Sequence, residues 1–255
     1  MTLFDRPLLI FAYSFLAFWL ATLAGATVFR KWRVFDPAVR SDFGTILATT
    51  LTLNGLIIGF TFSMAIGRYE QRKYNEEVEA NAIGTEYLRS DLMTAADDAA
   101  KVRTLLKEYV NLRVAYYRAD DDSAIQRNMS RTSALQKELW SAVQTTASRQ
   151  PNVVGALAIS GMNDVLNSQG FAQASWWNRI PKSAWILMAA IAVISHGLLG
   201  YGTRNAKSER LLLMVLPLVV SISFLLIADI DSPRSGIIRV IPQNLLSLAE
   251  SIRTQ

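Results

Sequence analysis

Residues 51–84 read LTLNGLIIGFTFSMAIGRYEQRKYNEEVEANAIG, and this stretch decides the fold. It completes an uncharged run, Phe43 to Gly67, long enough to cross a bilayer, and then passes Arg68 into charged helical sequence with no Gly or Pro before Gly84. The run carries Thr45, Thr49, Thr50, Thr52, Asn54, Thr61 and Ser63. A helix facing only lipid gains nothing from so many polar side chains, so one face is expected to meet water or another helix. A polar-striped span joined to a long soluble helix points to a pore or gate rather than an enzyme.

Three further uncharged runs accompany it: Pro7–Phe29 with 23 residues, Ser183–Thr203 with 21 and Leu211–Ala228 with 18. Each is near the roughly 20 residues needed to span a hydrocarbon core of about 30 Å. Four spans in 255 residues, 51% of them hydrophobic, predict an integral membrane protein. Ala24-Gly25-Ala26 offers a small-residue cleavage site. However, the first run exceeds a signal-peptide core, and Arg30, Lys31 and Arg33 follow it at once, as in a retained anchor.

The chain has no cysteine, which excludes disulfides, thiolate metal sites and cysteine catalysis. Its formal net charge is +5, whereas residues 68–181 balance 14 Lys/Arg against 14 Asp/Glu. The excess therefore sits on the membrane part and the tails. That distribution fits anionic headgroups, an anionic permeant or ordinary positive-inside charges, and not nucleic acid.

The fold expected is an all-α membrane protein of four transmembrane helices, with a helical extramembrane domain inserted between the second and third. The division is 1–67 for helices 1 and 2, 68–181 for the domain, and 182–255 for helices 3 and 4 with the C-terminal tail. In the domain, apolar positions from Val78 to Leu112 recur at helical spacing. Glu76, Glu77, Glu79 and the pairs Glu86/Arg89 and Arg103/Lys107 are assigned to solvated faces. Asp120-Asp121-Asp122 breaks or caps the pattern, and a helix follows from Ser123 to about Arg149. A shorter one from Asn152 to Leu166 is expected to end in a loop at Ser168-Gln169-Gly170. Trp176 and Trp177, with Arg179 and Lys182, read as interfacial anchors.

Thr45, Thr49, Thr52, Leu56, Phe60 and Ser63 follow at steps of three or four and so share one helical face. Hydroxyl dipoles can solvate an ion without fixing a charge, and a ring of apolar side chains can gate by dewetting. The same residues can equally pack against neighbouring helices. Two turns beyond Phe60, Arg68 is a candidate for an ion pair, a headgroup contact or a pore vestibule. His196 lies mid-span as either a proton sensor or a hydrogen-bonded packing residue. Asp229 and Asp231 supply too few oxygens for calcium and read as an ion-paired helix end, with metal binding a minority alternative. No catalytic triad, phosphate loop or metal-ligand spacing appears, so neither an enzyme nor a cofactor is expected.

Gly59-Phe60 followed by Arg68-Tyr69-Glu70-Gln71-Arg72 resembles the second membrane helix of bestrophin anion channels. The segment Glu79–Leu92 and the later DIDSPRSG (229–236) resemble a group of bacterial membrane proteins described as bestrophin-like. The resemblance implies a homopentamer in the bacterial inner membrane, passing chloride and other small anions through a pore lined by the second helix. It implies a neck at Thr52, Leu56 and Phe60, with Thr52 departing from an all-apolar ring. It also implies a cytosolic helical domain. The short-loop charges Arg30, Lys31, Arg33, Arg40, Arg204, Lys207 and Arg210 favour the opposite side. The alternative is a non-conducting scaffold or sensor that recruits partners through an apolar helical face at Val78–Leu112.

Overall fold

The computed structural model describes residues 6–29, 39–203 and 211–254, without the side chains of Phe29 and of residues 39–41. Most of the short-loop cations that bear on orientation, Arg30, Lys31, Arg33, Arg204, Lys207 and Arg210, lie outside the described residues, as does the side chain of Arg40. The described residues form eight α-helices: α1 (Pro7–Ala24), α2 (Val39–Arg89), α3 (Ala96–Arg118), α4 (Asp122–Arg149), α5 (Val153–Trp177), α6 (Lys182–Gly202), α7 (Leu212–Asp231) and α8 (Gln243–Arg253). Four segments are long and apolar enough to cross a membrane: Pro7–Val28, Asp42–Leu92, Val153–Gly202 and Leu212–Asp231. The chain is an all-α membrane protein.

It divides into two compact units. One comprises residues 1–67 and 179–239, the other 68–178 and 240–255. The C-terminal segment therefore joins the extramembrane unit, whereas the sequence division attaches it to the last two membrane helices. The reason is local: Leu245 and Ile252 of α8 are buried in the apolar core of that unit.

In the membrane unit α1 packs against α6 and α7. Pro7 opens α1 at a position where its missing N–H costs nothing. The helix passes into a π-helical turn, Gly25–Phe29. Gly25 and Gly200 let the α1 and α6 backbones touch: a methyl on Gly25 would overlap the Gly197 carbonyl, and one on Gly200 the Thr22 carbonyl. Small residues at such a crossing are how helices associate where no hydrophobic drive separates protein from lipid. The candidate cleavage site Ala24-Gly25-Ala26 is thus part of a packed helix contact. Pro217 sits within α7, where Ser223 returns its hydroxyl to the Val219 carbonyl at 3.2 Å.

α2 runs 51 residues without interruption. At about 1.5 Å per residue it is roughly 75 Å long, far beyond a bilayer's core. It ends at a 3₁₀ turn, Ser90–Leu92, after which Met93 is extended. The apolar pattern from Val78 to Leu112 is therefore two helices, α2 and α3, and not one. Their apolar faces close on each other and on α4 and α5: Ile83, Val102, Leu106, Tyr109, Leu135, Leu139, Val143, Met162 and Val165 are all fully buried.

Asp121 caps α4, accepting from the Ala124 N–H at 2.7 Å. Asn152 caps α5 through the Val154 and Gly155 N–H groups. α5 continues to Trp177, so Ser168-Gln169-Gly170 is helix rather than loop. Ser168 points into the core and bonds the Val165 carbonyl, which keeps the turn helical. Trp176 is likewise no interfacial anchor. It is buried edge-on against Tyr116 and Tyr117, at 5.9 and 5.3 Å between ring centres, while Trp177 is exposed.

Candidate functional site

Thr45, Thr49, Thr52, Leu56, Phe60 and Ser63 all lie on the exposed side of α2. Asn54, Thr61 and Ala65, about half a turn away at 3.6 residues per turn, are buried against the rest of their unit. Thr49 and Thr52 donate to the carbonyls one turn back, Thr45 and Ala48, at 2.8 and 2.9 Å. Their backbone-bonded protons leave oxygen lone pairs on the outer face. Leu56 and Phe60 are the bulky groups on this face, 50% and 62% exposed. Beside them Gly44, Gly55, Gly59 and Gly67 have open space where a side chain would stand.

Ile46, Leu53, Met64 and Ile66 of α2 are exposed as well, and what sets α2 apart from the other spans is the hydroxyls and glycines among them. α7 exposes Leu212, Val215, Leu218, Val219 and Ile222, and α6 exposes Ile186, Leu187, Val193 and Ile194. Those are lipid-compatible side chains. Only 6% of the apolar stretch of α2 is buried, against 50% for α7. The least covered span is thus also the one with hydroxyls and glycines on its outer face, a composition suited to close helix contact or to water.

Arg68 begins the extramembrane unit. Its Nε is shielded and has no hydrogen-bond partner among the described residues. His196 does not join the α2 face. Its ring is buried in the bundle, stacked on Phe18 at 4.8 Å and 11°, with Nδ1 2.6 Å from the Ala192 carbonyl. Asp229 accepts the backbone N–H groups of Ile237 and Ile238 at 2.9 and 2.8 Å, folding the turn after α7 back on the helix end. Gly236, at φ 110°, is required there. Its backbone is left-handed, and a Cβ would collide with the Asp229 carboxylate. Asp231 accepts the Ile180 N–H at 3.0 Å. Both acids thus hold backbone in place, and no cluster of three metal-ligating groups occurs among the described residues.

The largest departure from the sequence reading lies along the buried face of α2. Glu76, Glu79 and Glu86, assigned to solvent, are all buried, as is Arg72. Each but Glu86 has a hydrogen-bond partner. Arg72 donates to the Ser175 carbonyl in the last turn of α5 and to the Asn178 carbonyl just beyond it. Glu76 accepts from the Asn244 amide and the Leu245 N–H at 2.7 and 2.9 Å, capping α8. Glu79 accepts from Arg113 on α3 and from the Tyr117 hydroxyl. Arg113 in turn lies 4.5 Å over the Tyr116 ring. Burial, reinforced by Glu79, pushes the Tyr117 hydroxyl well above the ordinary tyrosine range, so Tyr117 stays a neutral donor. Desolvation opposes the charge on Arg113, and the attraction of Glu79 outweighs it, leaving its guanidinium more firmly protonated than usual.

A signal for this ladder was present. Arg72, Glu76, Glu79, Ile83, Glu86 and Ser90 recur at steps of four and three, one face that a buried Ile already marks.

Three comparisons bear on the whole chain. The sequence profile of the Bestrophin-like domain matches residues 16–245. A crystal structure of a bacterial bestrophin homolog from Klebsiella pneumoniae shares the fold at a TM-score of 0.62 and 13% identity, covering 96% of this chain and 94% of that one. A second structure of such a homolog from the same organism aligns at 0.61 and 12%, covering 95% and 98%. No curated protein matches.

Proposed function

The chain belongs to the bestrophin-like family, and from that premise we propose that it is an oligomeric channel for small anions such as chloride, with α2 of each subunit lining the pore. The carrying observation is the outer face of α2, hydroxyl- and glycine-rich and almost uncovered within the chain. Such a face gains nothing from lipid, whereas around a central axis it meets water and its own copies. Thr45, Thr49 and Ser63 contribute hydroxyls that can donate to a passing anion, Thr49 by turning its proton from the Thr45 carbonyl. Leu56 and Phe60, with Thr52 one turn earlier, form the neck, the narrowest and driest part. The positive excess outside the neutral 68–181 segment favours anions over cations. The assembly is a homopentamer, as in the bestrophins it resembles, and its membrane is the bacterial inner membrane. Arg68 faces a neighbouring subunit or headgroups, and His196, stacked in the bundle, is a packing residue.

The scaffold alternative loses most of its motivation, since the apolar face at Val78–Leu112 is largely covered by the chain's own helices, with Leu88 and Leu92 left exposed. Purified protein in planar bilayers under asymmetric chloride tests the channel reading. A reversal potential on the chloride side is expected. No conductance at any pH, from a protein that assembles, would sink the proposal.

A further inference from the structure

Glu86 is the one charged rung of the α2 ladder that lacks a hydrogen-bond partner, its nearest opposite charge being Arg89 at 3.8 Å. Its side chain is 0% exposed, and neither carboxylate oxygen has a hydrogen bond. The α5 backbone passes directly over it: a methyl on Gly161 would overlap Oε2 of Glu86 and Nη1 of Arg89. A charged carboxylate left dry and unbonded is among the costliest arrangements a protein interior can hold. A neutral carboxyl is far cheaper, and that arrangement is compatible with the close contact at Gly161.

We propose that Glu86 is a proton-operated latch: protonated, it lets α2 lie directly on α5 at Gly161; ionised, it draws in water and opens that contact. The groups facing it are Arg89 on its own helix, with Nη1 at 3.8 Å, and Asp164 on α5. Nearby on α3, Arg103 is engaged with Asp91 and with the Ser90 hydroxyl. Burial is the largest influence and raises the Glu86 carboxyl from 4.5 to about 8; Arg89 lowers it and Asp164 raises it. The latch is therefore closed through neutral pH and opens as pH climbs past about 8. The sign for stability follows. Unfolded, the group ionises near 4.5, so the folded domain loses stability as pH rises from there to about 8, with no further loss above. Glu86 stands on the same uninterrupted helix as Thr52, Leu56 and Phe60. An effect of the latch on permeation rests on the channel reading; the latch itself does not.

The test uses the full-length protein in detergent. Infrared titration should show a protonated carboxyl whose carbonyl stretch disappears with a midpoint near pH 8 and is missing in Glu86→Gln. Amide exchange around Gly161, corrected for intrinsic rates, should be at least about tenfold faster at roughly pH 9.5 than at roughly pH 6.5 in wild type, and unchanged in Glu86→Gln. Protection independent of pH in wild type overturns the latch, as does the same loss in the variant. Should Glu86→Gln fail to fold, the wild-type titration decides: no protonated carboxyl at neutral pH overturns it. None of these readouts needs conduction, so a silent bilayer experiment and a failed latch remain distinct results.

Discussion

Arg113 and Glu79, 34 residues apart on α3 and α2, form an ion pair with both side chains 0% exposed. Arg113 reaches both carboxylate oxygens, and Tyr117 donates a further bond at 3.2 Å. Removing one partner leaves an uncompensated buried charge, which costs about 3–5 kcal/mol. Arg113→Met and Glu79→Leu are each expected to destabilise the protein by that amount in denaturant titrations. The double variant should recover most of it, since both buried charges go together and only the Tyr117 hydroxyl is left without its acceptor. Equal loss in single and double variants would show that the pair is not the source of the cost.

Glu76 holds α8 from a distance of 169 residues in sequence by accepting the Leu245 N–H. α8 has no cap of its own, because Pro242 precedes it. Glu76→Ala removes both the acceptor and a negative charge at the positive helix end, about 1–2 kcal/mol together. Amide protection should fall across residues 243–253 and stay unchanged in α3 and α4. A uniform fall across the domain would mean that α8 does not open separately.

The membrane helices were legible because length and lack of charge report directly on a bilayer, and the polar stripe because 3.6-residue spacing needs no partner to be seen. The buried face of α2 carries the same spacing, but the burial of its charges was not legible. A glutamate's solvent preference is overridden only when a specific partner arrives, and Arg113, Asn244 and the Leu245 N–H come from segments distant in sequence. The same holds for the end of α2. Nothing in the apolar pattern marks Ser90, whose hydroxyl bonds the Tyr87 carbonyl at 2.6 Å and accepts from Arg103 at 2.9 Å. Gly170 suggested a loop, yet it is a tolerated helical glycine with open space around it. On the candidate site, periodicity identified the exposed residues, while the companion glycines drew meaning only from the open space beside them.

Two glycines separate folding from assembly. Gly200→Ala puts a methyl against the Thr22 carbonyl and the Ala26 N–H, forcing α1 from α6 at a cost of about 1–3 kcal/mol for overpacking. Gly59→Ala meets nothing in its own chain. We expect a lowered thermal midpoint and a poor yield of folded subunit for Gly200→Ala. For Gly59→Ala the expected result is a normally folded subunit whose change, if any, is confined to oligomer size on native electrophoresis.

Arg68, half-buried where the extramembrane unit begins, has a shielded Nε without a hydrogen-bond partner among the described residues, and we expect its planar fork to serve a neighbouring subunit or a headgroup. Lysine keeps the charge but lacks the fork needed for bidentate carboxylate or phosphate contact. Arg68→Lys should weaken assembly, seen as a lower oligomer fraction at equal protein concentration, and leave anion preference intact. Normal assembly with altered selectivity would instead place Arg68 on the permeation path.

Phe60 is the bulkiest side chain on the open face of α2, with Leu56 one turn before it and Thr52 one turn before that. In a ring of subunits each truncation repeats around the axis, so a single substitution widens the neck by several side chains at once. Phe60→Ala and Leu56→Ala should therefore raise conductance or resting leak, Phe60 the more because it removes the larger apolar volume and the larger barrier to wetting. Thr52→Ala tests the opposite property. It dries the first turn of the neck without narrowing it, and should lower conductance modestly. The subunit fold should be indifferent to all three, because these side chains are exposed in the single chain. Single-channel recording beside a thermal melt separates the two effects. Unchanged conductance in Phe60→Ala with assembly preserved would put the constriction elsewhere.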